Sequence, residues 1–433
     1  MNRFNKAVRW TAGAALLLPA LSQAQQVVDG AATSWTMTAT ALVLFMTIPG
    51  LSLFYGGLVR TRNVLSVLMQ CFAITCVASL VWLVVGYSLA FSEGNGFIGG
   101  LSKVLFAGVE QESVVGLIPE SVFALFQMTF AIITPALIFG GFAERVRFGS
   151  VMLFSVLWLL AVYVPVTHWV WASDGWLFQR GLLDFAGGTV VHITAGVGSL
   201  VCALVLGPRT GFGKTPMTPH NMTMTVTGAG MLWVGWFGFN GGSALAADGN
   251  AGMAMLVTHI SAAAGAVAWM LMEKLKFGKP SVLGIVTGMV AGLGTITPAS
   301  GFVGPGGALV IGLIAGVVCF FATQALKQKL KIDDSLDVFP VHGVGGILGT
   351  FAAGIFASSA LGLFSGQGYA EGMTMGGQIV VQLTGIVATA AYTAVLTFVL
   401  LKVVNALTGF RVTPEEENTG LDIVLHNESG YDL

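Results

Sequence analysis

The sequence predicts an all-α polytopic membrane protein, and three observations carry that reading. Of 433 residues, 55% are hydrophobic and 9% charged. The mean hydropathy is +0.84. Apolar runs of spanning length recur from about residue 32 to residue 408. A soluble domain carries roughly 25% charged residues, so this chain needs lipid around it. Its 59 glycines follow no Gly-X-Y period and suit helices that pack closely in a bilayer. A net charge of -1 offers no basic surface for nucleic acid. Cys71, Cys76, Cys202 and Cys319 lie in apolar runs without a C-x-x-C, so neither a disulfide frame nor a zinc site is read. No cofactor or metal ligand set is read, and the absence of G-x-S-x-G and H-E-x-x-H argues against a hydrolase.

The first element is a processing segment. Arg3, Lys6 and Arg9 precede an apolar run over 11–21, and Ser22-Gln23-Ala24 places small residues before a cut. This predicts a signal peptide over 1–24, with the short run as a first anchor the alternative. Eleven spans are then expected, at about 32–58, 63–91, 120–142, 148–170, 185–207, 221–243, 250–273, 281–298, 304–326, 335–358 and 375–408. With the mature N-terminus outside, the odd-numbered connections are cytoplasmic. They carry Arg60, Arg62, Arg145, Arg147, Arg209, Lys214, Lys274, Lys276, Lys279, Lys327, Lys329 and Lys331. The external connections hold Lys103 and Arg180. That asymmetry predicts N-out, C-in. The membrane domain is expected over 25–410 and a cytoplasmic tail over 411–433.

Five spans separate the first from the sixth, so the first five and the next five cross in opposite senses. This predicts an inverted 5+5 repeat, about 32–207 and 221–358, of the kind transporters use, plus one extra C-terminal helix. Ionisable groups inside the membrane point to function. Asp184 precedes the fifth span, which carries His192; Asp337 precedes His342 in the tenth. Running inward, the fifth span puts His192 about 12 Å below Asp184; running outward, the tenth puts His342 about 7.5 Å beyond Asp337. The two histidines should converge, with both aspartates capping helix starts. His259 has no mate in the other half and reads as packing, and His168 lies near an outer helix end. Trp236, Phe239 and Ser243 share one face of the sixth span, and Phe126 and Phe130 one face of the third. Trp171, at the outer end of the fourth span, is either part of an interfacial aromatic belt or a face for a cation.

The stretch Asp184-Phe-Ala-Gly-Gly-Thr-Val-Val-His192-Ile-Thr-Ala-Gly-Val-Gly-Ser-Leu200, running on to Gly207-Pro-Arg209, resembles the signature of the ammonium transporter (Amt/Mep/Rhesus) family. Trp236-Phe-Gly-Phe239-Asn-Gly-Gly-Ser243-Ala, Asp337-Val-Phe-Pro-Val-His342, Phe126-Gln-Met-Thr-Phe130 and Ala143-Glu-Arg-Val-Arg147-Phe resemble it too, as does Phe410-Arg-Val-Thr-Pro-Glu-Glu-Glu in the tail. The resemblance covers essentially the whole mature chain and implies a homotrimer with one pore per subunit, in the bacterial inner membrane. It implies an external ammonium or methylammonium site at Trp171, Phe130 and Ser243, supported by Phe126 and Trp236. It further implies a gate of Phe130 and Phe239, twin pore histidines His192 and His342, and Asp184 as a structural acid that also assists deprotonation, with Asp337 as its counterpart. Trp171 and Ser243 favour the bacterial Amt branch. The connection from Trp171 to Asp184 is slightly longer than that pattern, which leaves Trp176 as the alternative. The tail implies docking of a PII-type signalling protein. Transport of ammonia, with or without its proton, is the expected function, and an ammonium sensor would use the same site.

Overall fold

The computed structural model describes residues 28–359 and 368–432, so the segment read as a leader lies outside the described residues. Among these, ten helices are long and apolar enough to cross a membrane. They are α1 (Gly30–Leu58), α2 (Thr61–Phe91), α3 (Glu120–Phe139), α4 (Phe148–Trp171), α5 (Gly188–Leu206), α7 (Gly249–Phe277), α8 (Val282–Ala299), α9 (Pro305–Lys329), α10 (Phe339–Phe356) and α11 (Met375–Thr408). Between α5 and α7 lies α6, helical over Met222–Trp236 and continuing as a π-helical turn through Phe237–Gly241. Threonine, tryptophan and glycine dilute its hydropathy below that of the other ten. Two short strand pairs, β1 (Gly94–Asn95) with β2 (Ile98–Gly99) and β3 (Val114–Val115) with β4 (Ile118–Pro119), decorate the α2–α3 connection.

Five of these helices begin where the sequence provides a cap. Asp29, Asn221, Asp248, Ser281 and Thr374 each accept a backbone N–H from the first turn of α1, α6, α7, α8 and α11. The spacing of small residues then decides the packing. A Cβ on Gly196 of α5 would overlap the backbone of Gly343 in α10. That glycine contact lets the two helices touch where each opens into a π-helical turn, Gly188–Ile193 in α5 and Phe339–Gly343 in α10. Such turns widen the helix and re-aim side chains. Here each one carries a histidine.

The connections sort onto two faces. On one face the α1–α2, α3–α4, α5–α6 and α9–α10 connections meet the C-terminal tail. Glu144 accepts from Arg60 N (2.6 Å), Arg60 Nε (3.0 Å), Asn63 Nδ2 (3.1 Å) and Arg209 (2.9 Å). Asp333 takes three bonds from Arg209 and one contact from Arg145, whose guanidinium is fully buried. Burial pushes both carboxyls up, but the arginine charges and hydrogen bonds outweigh it and hold them below their usual range. Burial lowers Arg145 to about 10 against the opposing pull of Asp333. The tail adds two short helices, α12 (Pro414–Thr419) and α13 (Leu421–His426). Glu417 binds Thr210 and Arg411, and Asp422 accepts the Leu65 and Ser66 amides at the start of α2. On the opposite face, Asp174 in the α4–α5 connection accepts the Gly94 amide of the α2–α3 connection.

Candidate functional site

The site grows from the two π-helical turns. Ahead of the first, Asp184 accepts from the amides of Gly187 (2.8 Å), Gly188 (2.5 Å), Thr189 (2.8 Å) and Val190 (3.3 Å), and from the Thr189 hydroxyl. Five donors occupy the carboxylate's lone-pair positions. Asp184 therefore caps the turn that opens α5. Ahead of the second turn, the expected cap is Asp337, and here the structure differs. Asp334 accepts the Phe339 amide at 2.7 Å and the Ser199 hydroxyl at 3.3 Å. Asp337 has a positive φ of 60°, which turns its side chain outward onto Lys327 Nζ at 2.8 Å. Its backbone carbonyl, not its carboxylate, meets the Val341 amide. Asp334 stands eight positions before His342, as Asp184 stands eight before His192. Matching those spacings would have identified it.

Burial pushes the Asp334 carboxyl up to about 6 from 3.8, and the neighbouring Asp337 charge adds to the rise. The folded value lies above the unfolded one, so ionising Asp334 costs stability as pH rises from about 4 to 6. Two units correspond to an order of 3 kcal/mol. Asp334→Asn keeps the oxygen that caps Phe339 and removes the ionisation. Thermal midpoints measured from pH 4 to 7 in detergent should therefore fall less steeply in Asp334→Asn than in the parent. Parallel curves would exclude Asp334 as the source.

Between the two turns the imidazoles stack, with centroids 5.2 Å apart and planes 17° from parallel. Their Nδ1 atoms are 3.1 Å apart, so one donates and the other accepts. Both rings are buried. His192 also stacks on Trp236 (5.6 Å) and lies 6.0 Å from Phe239. Trp236 is fixed by a bond from its indole to Thr297 Oγ1 at 2.9 Å, a partner the sequence did not suggest. Phe239 packs on Phe130 at 4.4 Å, Phe130 on Trp171 at 5.6 Å, and Phe126 braces Phe130 at 5.0 Å. Trp171 donates its indole N–H to the Asp184 carbonyl at 2.9 Å. Trp176 instead packs on Trp169 and Phe97, away from Phe130. Ser243 donates its hydroxyl to the Phe239 carbonyl at 2.8 Å, so its remaining capacity is to accept.

These rings form a continuous file from Trp171 to His342. A chamber of about 10 Å³, counted as space for the centre of a water-sized molecule, is lined by His192, His342, Trp236, Phe239 and aliphatic side chains such as Leu137 and Val290. The buried His192 Nε2 has no hydrogen-bond partner. Beyond His342 the chamber gives way to a polar vestibule of about 110 Å³ on the tail face, lined by Tyr55, Lys327, Ser335 and Asp337 among others. His259 stands apart, exposed on α7 against Trp233. Among the described residues, no group of three or more His, Cys, Asp or Glu side chains could hold a metal.

Residues 34–431 match the model of the Ammonium Transporter Family. The chain is 47% identical over 395 residues to an ammonium transporter of Bacillus subtilis, covering 90% of this chain and 96% of that one. It is 46% identical over 407 residues to an ammonium transporter of Aquifex aeolicus, covering 94% of each chain. Among solved structures it is similar to Mep2 of Saccharomyces cerevisiae, with a TM-score of 0.81, 38% identity and coverage of 90% of this chain and 92% of that one. The structure titled Sensor Amt Protein aligns at a TM-score of 0.84 and 30% identity, covering 92% and 98%. The Bacillus and Aquifex relatives are named as transporters, not enzymes, and a match spanning nearly the whole chain places it in the ammonium transporter family.

Proposed function

We propose that this chain carries ammonium across a bacterial inner membrane as ammonia, through a pore that follows the ring file. The observation that carries this is the continuous sequence Trp171, Phe130, Phe239, His192, His342, buried along most of its length and ending in a polar vestibule. An ion in an apolar passage costs tens of kcal/mol by Born estimates. Ammonium avoids that cost by releasing its proton to water at the outer mouth, and K⁺ cannot. At the mouth the cation rests on the π-faces of Trp171 and Phe130, and its N–H groups meet the accepting oxygen of Ser243, in the field of Asp184. Cation–π attraction in such a desolvated setting is worth ~2 kcal/mol. Phe130 and Phe239, in contact, hold back water and hydrated ions. In the chamber the unpartnered His192 Nε2 meets the passing ammonia. Uptake of labelled methylammonium into reconstituted vesicles tests the reading, and no uptake above protein-free vesicles would end it.

The mouth has its own test. Trp171→Leu removes the best π-face but leaves the Asp184 cap intact. The half-saturating ammonium concentration should rise, or its concentration dependence change, while conduction survives. A curve superimposable on the parent's would return Trp171 to the interfacial belt.

We infer eleven spans, with α6 included, in an N-out, C-in topology after removal of a signal peptide, and an assembly of three subunits each with its own pore. The basic residues concentrated on the tail face support the orientation. The pairing of Asp184–His192 with Asp334–His342 supports the inverted repeat. A PII-type protein would dock on the tail face, over the vestibule. Deleting 411–433 should abolish its capture. That deletion also strips partners from Arg60, Thr210, Leu65 and Ser66. Glu415→Lys and Ile423→Asp alter exposed tail residues only. They should weaken capture without changing basal uptake, and undiminished capture by both the variants and the deletion would refute this docking surface.

A further inference from the structure

His168 is fully buried in α4, one turn before Trp171. Its Nδ1 lies 2.9 Å from the Ala90 carbonyl oxygen and its Nε2 lies 2.7 Å from that of Asn95. Carbonyl oxygens only accept hydrogen bonds, and a neutral imidazole has one N–H. In either neutral tautomer a ring lone pair would face a carbonyl lone pair at hydrogen-bond distance. Turning the ring over does not relieve this, because ring carbons would then sit closer to oxygen than the ~3.3–3.6 Å of C–H···O contacts. Only a ring carrying both protons satisfies both partners. A buried charge also needs a counter-charge, and the Asp174 carboxylate stands 3.5 Å from Nε2.

We propose that His168 is held as an imidazolium and is a positioning residue for Trp171, riveting the end of α2 and the α2–α3 connection to the outer end of α4. Neighbouring bonds run the same way. Trp169 donates its indole N–H to the Phe97 carbonyl at 2.8 Å, and the Trp176 amide donates to the Gly96 carbonyl at 3.0 Å. The Gly94 amide reaches Asp174 at 3.0 Å. His168 and Asp174 are thus charged partners at the centre of one seam. Among the other ionisable groups on this face, Glu93, Lys103 and Glu120 line an outer hollow together with Asp174 and Trp171, and Lys103 pairs with Glu120; Glu110 and Glu112 lie further along the α2–α3 connection. Arg180 lies over the Trp176 ring. The seam holds the segment that ends in Trp171, and Trp171 in turn is pinned to the Asp184 carbonyl. Its consequence for transport rests on the proposed recruitment site at Trp171; the protonation state does not.

Nitrogen-15 NMR of histidine-labelled protein in lipid vesicles reads the ring directly, with His168→Gln assigning the signal. Two protonated ring nitrogens are expected at neutral pH. A single protonated nitrogen at neutral pH overturns the assignment. For positioning, His168→Gln should raise the half-saturating methylammonium concentration several-fold with a smaller change in maximal rate, with the thermal midpoint and assembly checked alongside. If His168→Gln does not assemble, Asp174→Asn takes its place. Unchanged half-saturation in an assembled variant overturns the positioning role. Absence of uptake by the parent protein would instead remove the transport reading and leave the NMR result standing.

Discussion

Asp184→Ala is expected to abolish transport and to lower the thermal midpoint steeply. The carboxylate collects four amides and one hydroxyl at the start of α5. Its removal strands those donors in a buried setting, where each unsatisfied group costs ~1–3 kcal/mol. Even with relaxation, the loss is about 4 kcal/mol or more, a large fraction of a domain's total stability. The π-helical turn that aims His192 hangs from this cap, so the histidine stack should loosen with it. Asp184→Asn is the informative companion. It keeps the shape and one accepting oxygen but turns an NH₂ toward donors and removes the charge. Uptake per correctly assembled molecule should remain near background in Asn as well as Ala. Full uptake by an assembled Asn variant would reduce Asp184 to a cap with no electrostatic role in recruitment.

Replacing His192 or His342 with alanine should lower ammonium transport or let K⁺ through, while assembly persists. The rings share a single hydrogen between their Nδ1 atoms, 3.1 Å apart, so they function as a unit. Removing one ring leaves the other without its partner and widens a chamber that now has room for about one water molecule. Water admitted there would shelter a charge that the apolar walls now exclude. Because the partners are coupled, the double variant should be no worse than the more damaged single variant. Uptake with K⁺ as competitor, and current in its presence, measure both effects. Parental flux and selectivity in both single variants would show that the pore lies elsewhere.

Much of this was legible in the chain itself. Hydropathy alone located the ten candidate membrane helices to within a few residues, because lipid demands long apolar helices and leaves few alternatives. Helix direction brought His192 and His342 toward one depth, and periodicity put Trp236, Phe239 and Ser243 on one face. The signature around Asp184–His192 indicated the family before any geometry was known. These are local properties, set by period, length and cap chemistry.

Other features depended on neighbours distant in sequence. The exchange of Asp337 for Asp334 turned on one positive φ, a backbone detail that hydropathy does not encode. Trp171 rather than Trp176 faces Phe130 because the α2–α3 connection claims Trp176 for its own packing against Phe97. The tail, which reads as a polar appendage, is a structural clamp because Glu417 and Asp422 find amides more than 200 residues away in sequence. Arg145 and Arg209 read as topology-setting charges and became, with Glu144 and Asp333, a buried network once four connections met on one face. The sequence by itself determined the helical membrane fold, the convergence of the two histidines and the family. The tertiary structure decided which acid caps which turn, which tryptophan packs on Phe130, and where the tail is held. A buried polar group takes whichever partner the packed chain brings within hydrogen-bond reach, and that partner is not fixed by spacing along the sequence.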